Sequence, residues 1–358
     1  MKISRKLLLP LISLCALIAS LIIGAIIILI NGDNPLVAYG ALIEGSFNGM
    51  PNLAGTLSSA TPLLFTGLGV AVAFKSGMAN IGAEGQLYMG AIAAALVGVY
   101  LPWPGISLIP AALLAAFAAG GLYGLIPAAL KIKTDTNEVV TTLMLNYVAT
   151  LLTSYLVNYP FKAPGAPLGM TEDIQKAARL PLLYSGSRFN IGFILAIAAC
   201  VLVALMFRYT TMGYEMRMLG QNSVYSKYIG IDVSARMLQG MFLGGGLAGV
   251  GGATLVLGIQ YRFVQNISPG YGFDGLTIAL MAGFSAIGVI PMAILFGALR
   301  SGGLSMELAT SVPSELSKVV QAIIILFMAA QVSLALYFTE FMTRLRHRRE
   351  KKQATGGA

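Results

Sequence analysis

Long apolar runs separated by short polar stretches dominate the chain. They recur at Leu7–Ile30, Leu53–Phe74, Ile81–Leu101, Ile106–Leu130, Val139–Val157, Ile191–Phe207, Met237–Gly258, Leu276–Gly288, Val289–Leu304 and Val319–Phe338. Most reach or approach the roughly 20 residues that a helix needs to cross a hydrocarbon core of about 30 Å. The pattern predicts an all-α fold: a polytopic transmembrane helical bundle of about ten spans, including broken or short helices. The runs on either side of Gly288 are short, so 276–304 spans twice or forms a re-entrant hairpin. Leu7–Ile30 is longer than a signal-peptide core and lacks a small-residue cleavage site, so it reads as a retained first span.

Lys75–Gly90, KSGMANIGAEGQLYMG, interrupts this pattern. Glycine-broken polar backbone at membrane depth persists only inside protein or beside a water-filled path. A carboxylate near the bilayer centre costs roughly 2.5–3.5 kcal/mol on insertion scales. The segment therefore points to a route for a polar solute, as discontinuous helices do in transporters. Its plainer reading is a polar turn between two helices, with Glu84 a structural acid near a helix end. A weak internal echo links Ile81–Ala91 with Ile287–Ala298, the kind of trace that inverted repeats leave. The run Leu243–Gly252, LGGGLAGVGG, predicts close helix packing.

Composition and charge narrow the class. The 358 residues are 57% hydrophobic and 10% charged, which excludes a soluble domain. A net charge of +9 would suggest nucleic acid in a soluble protein. Here the basic residues cluster at Lys2, Arg5 and Lys6, in loops, and in the tail Arg344–Lys352, so they read as positive-inside signals and contacts to membrane lipid headgroups. No nucleic-acid partner is implied. Residues Asn31–Asn52 carry Asp33 and Glu44 but no Lys or Arg, and read as an outside loop. Lys131, Lys133 and Arg208–Arg236 read as inside, which places both termini in the cytoplasm. Asn158–Asn190 then lies outside despite its Lys162, Lys176, Arg179 and Arg188.

No catalytic constellation is visible. There is no phosphate-binding loop, metal-ligand cluster or nucleophile elbow, so the chain is not expected to be an enzyme or to hold a cofactor or metal. Cys15 and Cys200 both lie in apolar runs, and the sole histidine, His347, sits in the basic tail. Glu84, Glu138 and Asp274 are far apart and fewer than a cation-coupled secondary transporter usually shows. Two inside segments read as contact surfaces. In Lys131–Glu138, Asp135 and Glu138 predict a helix-capping pair. In Met212–Arg236, Asn222 predicts the cap of a short helix ending at Gly230. Val224, Tyr225, Tyr228 and Ile229 share one face of it, which docks in a partner's groove or lies on lipid.

The passages Thr61–Gly90, Thr136–Ala149, Met218–Asp232 and Gly272–Ala282 resemble the permease subunits of ATP-binding-cassette importers for nucleosides. That superfamily also holds ribose-type sugar and branched-chain amino acid permeases. The resemblance covers nearly the whole chain, and NIGAEGQ at Asn80–Gln86 is fairly specific to the nucleoside and simple-sugar branch. It implies one permease domain over 1–358, with a coupling segment at 212–236 beside the basic cytoplasmic tail 341–358. Within that segment Gly220, Val224, Tyr225, Tyr228, Ile229 and Gly230 would contact the ATPase. Implied partners are a cytoplasmic ATPase that binds ATP and Mg, a second permease subunit (paralogue or self), and an extracytoplasmic solute-binding lipoprotein. The implied location is a bacterial inner or plasma membrane. One departure is Gly283–Pro291, GFSAIGVIP, where relatives often carry a polar Gly-Arg-x-x-Pro-like turn. A nucleoside needs an aromatic or apolar surface for its base and polar groups for its ribose. Asn80, Glu84 and Gln86 are the first candidates for the substrate path, followed by Phe74, Tyr88, Asn146 and Tyr147. A simple-sugar permease, a secondary transporter and a channel are the rival readings.

Overall fold

The computed structural model describes residues 22–310 except Asn31, together with positions 319, 322 and 323. Most of the last expected span, the start of the first, and the basic tail lie outside the described residues. The helices are α1 (Ile22–Ile30), α2 (Pro35–Phe47), α3 (Gly49–Lys75), α4 (Ala83–Tyr100), α5 (Gly105–Thr134) and α6 (Glu138–Asn158). They continue with α7 (Gly192–Tyr209), α8 (Thr211–Gln221), α9 (Ser223–Tyr228), α10 (Val233–Leu255), α11 (Tyr271–Met281) and α12 (Val289–Ala309). Among the described residues there is no strand, only two isolated bridges, Met170 with Val264 and Leu182 with Asn190. Six of the helices are long and apolar enough to cross a membrane, so the chain is an all-helical membrane bundle.

The chain divides into two units, Met1–Leu42 with Gly303–Ala358, and Ile43–Gly302. In the first, Ile28, Ala38 and Met306 form a small core with Tyr39 and Leu42 against it. The segment expected as an outside loop, Asn31–Asn52, instead contains α2. Asn34 Oδ1 accepts the Leu36 N–H at 2.9 Å, and Pro35 takes the first helical position, where its missing N–H costs nothing.

The second unit is built around α10, which packs against α3, α4 and α5. Lipid offers no hydrophobic drive for helices to associate, so backbone approach through small residues does the work. A Cβ on Gly244 would meet the carbonyl of Gly69, and one on Gly245 would meet that of Gly120, each at 2.5 Å. Gly90 of α4 likewise lies on the backbone of Gly249. Beyond Leu255 the helix widens into a π turn over Val256–Gln260 and stops at Tyr261, whose φ is +59°. The segment 159–191 is held there by Leu180 N–H to Leu257 O (2.9 Å), Ile174 N–H to Tyr261 O (2.9 Å) and Thr171 N–H to Phe263 O (3.0 Å).

At the opposite face the expected Asp135–Glu138 capping pair is replaced. Asn137 is the N-cap of α6, accepting from Val139 and Val140 N–H. Asp135 ends α5 in the left-handed region at φ +52°. Lys131 pairs with both acids, at 2.8 Å to Asp135 and 3.5 Å to Glu138. Its hydrogen bond holds the exposed Asp135 carboxyl below the usual carboxylate range. The cap expected at Asn222 is present: its side chain accepts the Tyr225 N–H at 2.9 Å, and Gly230 follows α9 at φ +85°.

Candidate functional site

The break between α3 and α4 is a structured joint. After Lys75 the chain runs through residues 76–82 without regular structure before α4 begins at Ala83. Such a break exposes backbone groups that membrane surroundings cannot satisfy. Side chains satisfy them here. Asn146 of α6 donates to Ile81 O at 2.9 Å and accepts from Gly85 N–H at 2.8 Å. Thr142, one turn earlier on α6, accepts from Ile81 N–H at 3.2 Å. Asn80 accepts the Gly82 N–H at 2.9 Å and donates to Gln86 Oε1 at 2.9 Å. Gln86 returns a bond to Asn80 Oδ1 at 3.3 Å. Asn80, Gln86, Thr142 and Asn146 are all buried.

Glu84 ties this joint to a second one. Its carboxylate accepts the Gly272 N–H at 2.6 Å, and the Ser268 hydroxyl is a further donor to it. Ser268 Oγ in turn accepts the Tyr271 N–H at 3.0 Å. Gly272 is in the first turn of α11, and a Cβ there would collide with the backbone of Glu84. Glu84 thus lies at the first turns of α4 and α11 together. Both present the positive end of a helix dipole to it.

Depth follows from α3. Thr66 donates to Tyr271 O at 3.1 Å. It lies nine residues before the end of α3 at Lys75, about 14 Å at 1.5 Å per residue. The two starts therefore meet near the middle of a 27-residue helix. From there α4 runs to the face where Gly98 packs against Ile174. The opposite course is taken by α11; Phe284, three residues beyond its end at Met281, stacks on Phe74 at 4.6 Å. Each half-helix opens with an acid–glycine pair, Glu84-Gly85 and Asp274-Gly275. The counterpart of α4 is thus α11. The weak echo of Ile81–Ala91 at Ile287–Ala298 falls on the turn before α12 and the first half of that helix.

A third charge completes the cluster. Arg300 of α12 pairs with Asp274 at 3.3 Å, donates to Pro269 O at 3.1 Å and lies 4.0 Å above the Tyr271 ring. Sequence reasoning passed over Arg300, Ser268 and Thr142. A signal existed for Arg300, a full charge inside the apolar run Val289–Leu304.

Of the path candidates, Asn80, Glu84, Gln86 and Asn146 come together in the joint. Tyr88 is one turn further along α4, its hydroxyl donating to Ser268 O at 3.3 Å. Phe74 is apart, against Phe284. Tyr147 is also apart. It is 63% exposed, and with Leu151 and Tyr155 it forms an exposed stripe along α6. Asn146→Leu is expected to leave the buried Gly85 N–H unpaired, at about 1–3 kcal/mol, and to remove the donor from the part-buried Ile81 carbonyl. Thermal aggregation of the purified chain should therefore begin at markedly lower temperature, whereas Tyr147→Leu next to it should not shift it.

Comparison with known proteins gives a consistent picture. A family model described as branched-chain amino acid transport system / permease component matches residues 52–329. The chain is 38% identical to a guanosine ABC transporter permease of Bacillus subtilis over 90% of its length and 94% of that protein. A nucleoside ABC transporter permease of Lactococcus lactis is 34% identical, over 92% of each chain. A glucose ABC transporter permease of Haloferax volcanii is 33% identical, over 95% of this chain and 92% of that one.

Proposed function

The chain belongs to the branched-chain amino acid transport system / permease component family, and from that premise we propose that it is the membrane permease subunit of an ATP-driven nucleoside importer. The observation that carries the reading is the 38% identity to the guanosine permease across nine-tenths of both chains. ATP and Mg bind a separate cytoplasmic ATPase, and a second permease and an extracytoplasmic solute-binding protein complete the importer. The face bearing α8, α9 and Lys131 is cytoplasmic, as its positive charge indicates.

The exposed tyrosines of α6 suit a nucleoside path. Tyrosine gives a flat apolar surface for a base and a hydroxyl for ribose. The buried joint around Glu84 holds the half-helices beside that path and supplies its rigid wall. The glucose permease of Haloferax volcanii favours a sugar importer as the second reading. Uptake of labelled guanosine, uridine, ribose and glucose by a strain lacking this chain separates the two. Nucleoside uptake is expected to fall to background and return on complementation. Loss of sugar uptake with nucleoside uptake intact would replace the first reading by the second.

Coupling to the ATPase is assigned to residues 212–236. Val224, Tyr225, Tyr228 and Ile229 of α9 and its end are 44–87% exposed, an apolar face left for a partner. Tyr228→Asp buries a charge without a counter-ion once that face docks. It is expected to abolish stimulation of the assembled ATPase by loaded binding protein at normal permease yield. Full stimulation would return α9 to a helix lying on lipid.

A further inference from the structure

On the face that carries α8, a cavity of about 260 Å³ opens between the ends of α3 and α7, α8, and the turn before α12. Lys75, Phe207, Arg208, Arg217, Ser285 and Ile287 line it, with no carboxylate among its lining residues. Lys75 lies 4.8 Å over the Phe207 ring and Arg208 5.2 Å over that of Tyr209. Among the described residues neither they nor Arg217 has an acidic partner. The acids of this face are engaged elsewhere. Asp135 and Glu138 pair with Lys131, Glu215 pairs with Arg236 at 2.6 Å, and Asp232 caps α10 through the Ala235 N–H. Three cations around one cavity repel one another unless an anion comes from outside the chain.

Position selects the anion. Both α3 and α7 are long and apolar enough to cross the membrane, so a cavity at their ends lies at the membrane's edge. Beside it, Val201, Leu202 and Leu205 of α7 are 41–65% exposed. A soluble anion has no use for that strip, whereas an acyl chain would cover it. A cavity of this size has room for a phosphate group with several waters. Arginine forks match phosphate oxygens, and basic pockets at helix ends hold lipid headgroups.

We propose that this cavity binds the phosphate of an anionic phospholipid headgroup, with an acyl chain along the exposed side of α7. The cytoplasmic assignment of the face rests on the function proposed above. Lipid binding in detergent does not depend on it, so the two readings fail separately.

The test is native mass spectrometry of the full chain, purified with its co-expressed partners and titrated with phosphatidylglycerol or phosphatidylcholine. The wild type is expected to retain phosphatidylglycerol about tenfold or more in preference to phosphatidylcholine. K75Q/R208Q/R217Q should lose that preference, and the charge-keeping K75R, which leaves both arginine forks in place, should retain it. Equal retention of the two lipids by the wild type would overturn the proposal without any variant, as would an undiminished preference in the glutamine variant. Full displacement by millimolar inorganic phosphate would make the cavity a soluble-anion site and overturn the lipid assignment. Loss of the ATPase from the glutamine variant with lipid preference intact would make it a protein-docking surface instead.

Discussion

Gly249→Leu is expected to reduce recovery of folded chain from the membrane by at least about tenfold. Gly249 lies where three helices meet. A Cβ on it would run into the carbonyl of Ala116 in α5, and a Cβ on Gly90 of α4 would run into Gly249 itself. Overpacking usually costs about 1–3 kcal/mol when side chains can give way. Here the obstructing atoms are backbone, so the helices themselves must separate. Since α10 also holds α3, a shift at Gly249 spreads through the unit. About 1.4 kcal/mol already corresponds to tenfold. Gly40→Ala is the control: that helical glycine has nothing within 4 Å of a built Cβ, and its yield should match wild type. Size-exclusion recovery of both variants checks the result. Normal recovery of Gly249→Leu would mean that the glycine contacts of α10 do not set its packing.

Glu84→Gln is expected to lower solute uptake by about ten- to a hundredfold while the chain still assembles. The amide keeps one oxygen for the Gly272 N–H, now accepted at 2.6 Å by the carboxylate. It loses the negative charge that two helix starts share. Hydrogen bonds to charged groups contribute roughly 1.5–3 kcal/mol, which sets the range. Glu84→Leu goes further and leaves the buried Gly272 N–H without a partner, so yield should fall as well. Measuring purified complex and uptake in the same strain separates the effects. Full uptake at full yield in Glu84→Gln would reduce residues 75–90 to a polar turn.

What could be read from the sequence was local. Asn222 and Gly230 announced α9 because a cap and a positive-φ glycine act on their immediate neighbours. The break after Lys75 was visible because its glycines and amides have no place in a plain span. Its partners were not, since Glu84 bonds to a residue 188 positions away and Asn146 reaches across 65. No periodicity encodes such pairings. Where two local signals competed, the choice failed. Asp135 and Glu138 fitted a capping spacing, but Asn137 holds the cap and Lys131 takes both acids. The helix α2 was missed because its 13 residues are too short to read as a span, although Asn34-Pro35 marked its start.

Energy coupling is the core of the proposed function. Proteoliposomes carrying this chain with the proposed ATPase and second permease, supplied with guanosine-loaded binding protein, provide the sharpest test. Guanosine should accumulate only when ATP is hydrolysed, and not with a non-hydrolysable analogue. Equal transport without ATP, whether driven by an ion gradient or merely equilibrating, would contradict it.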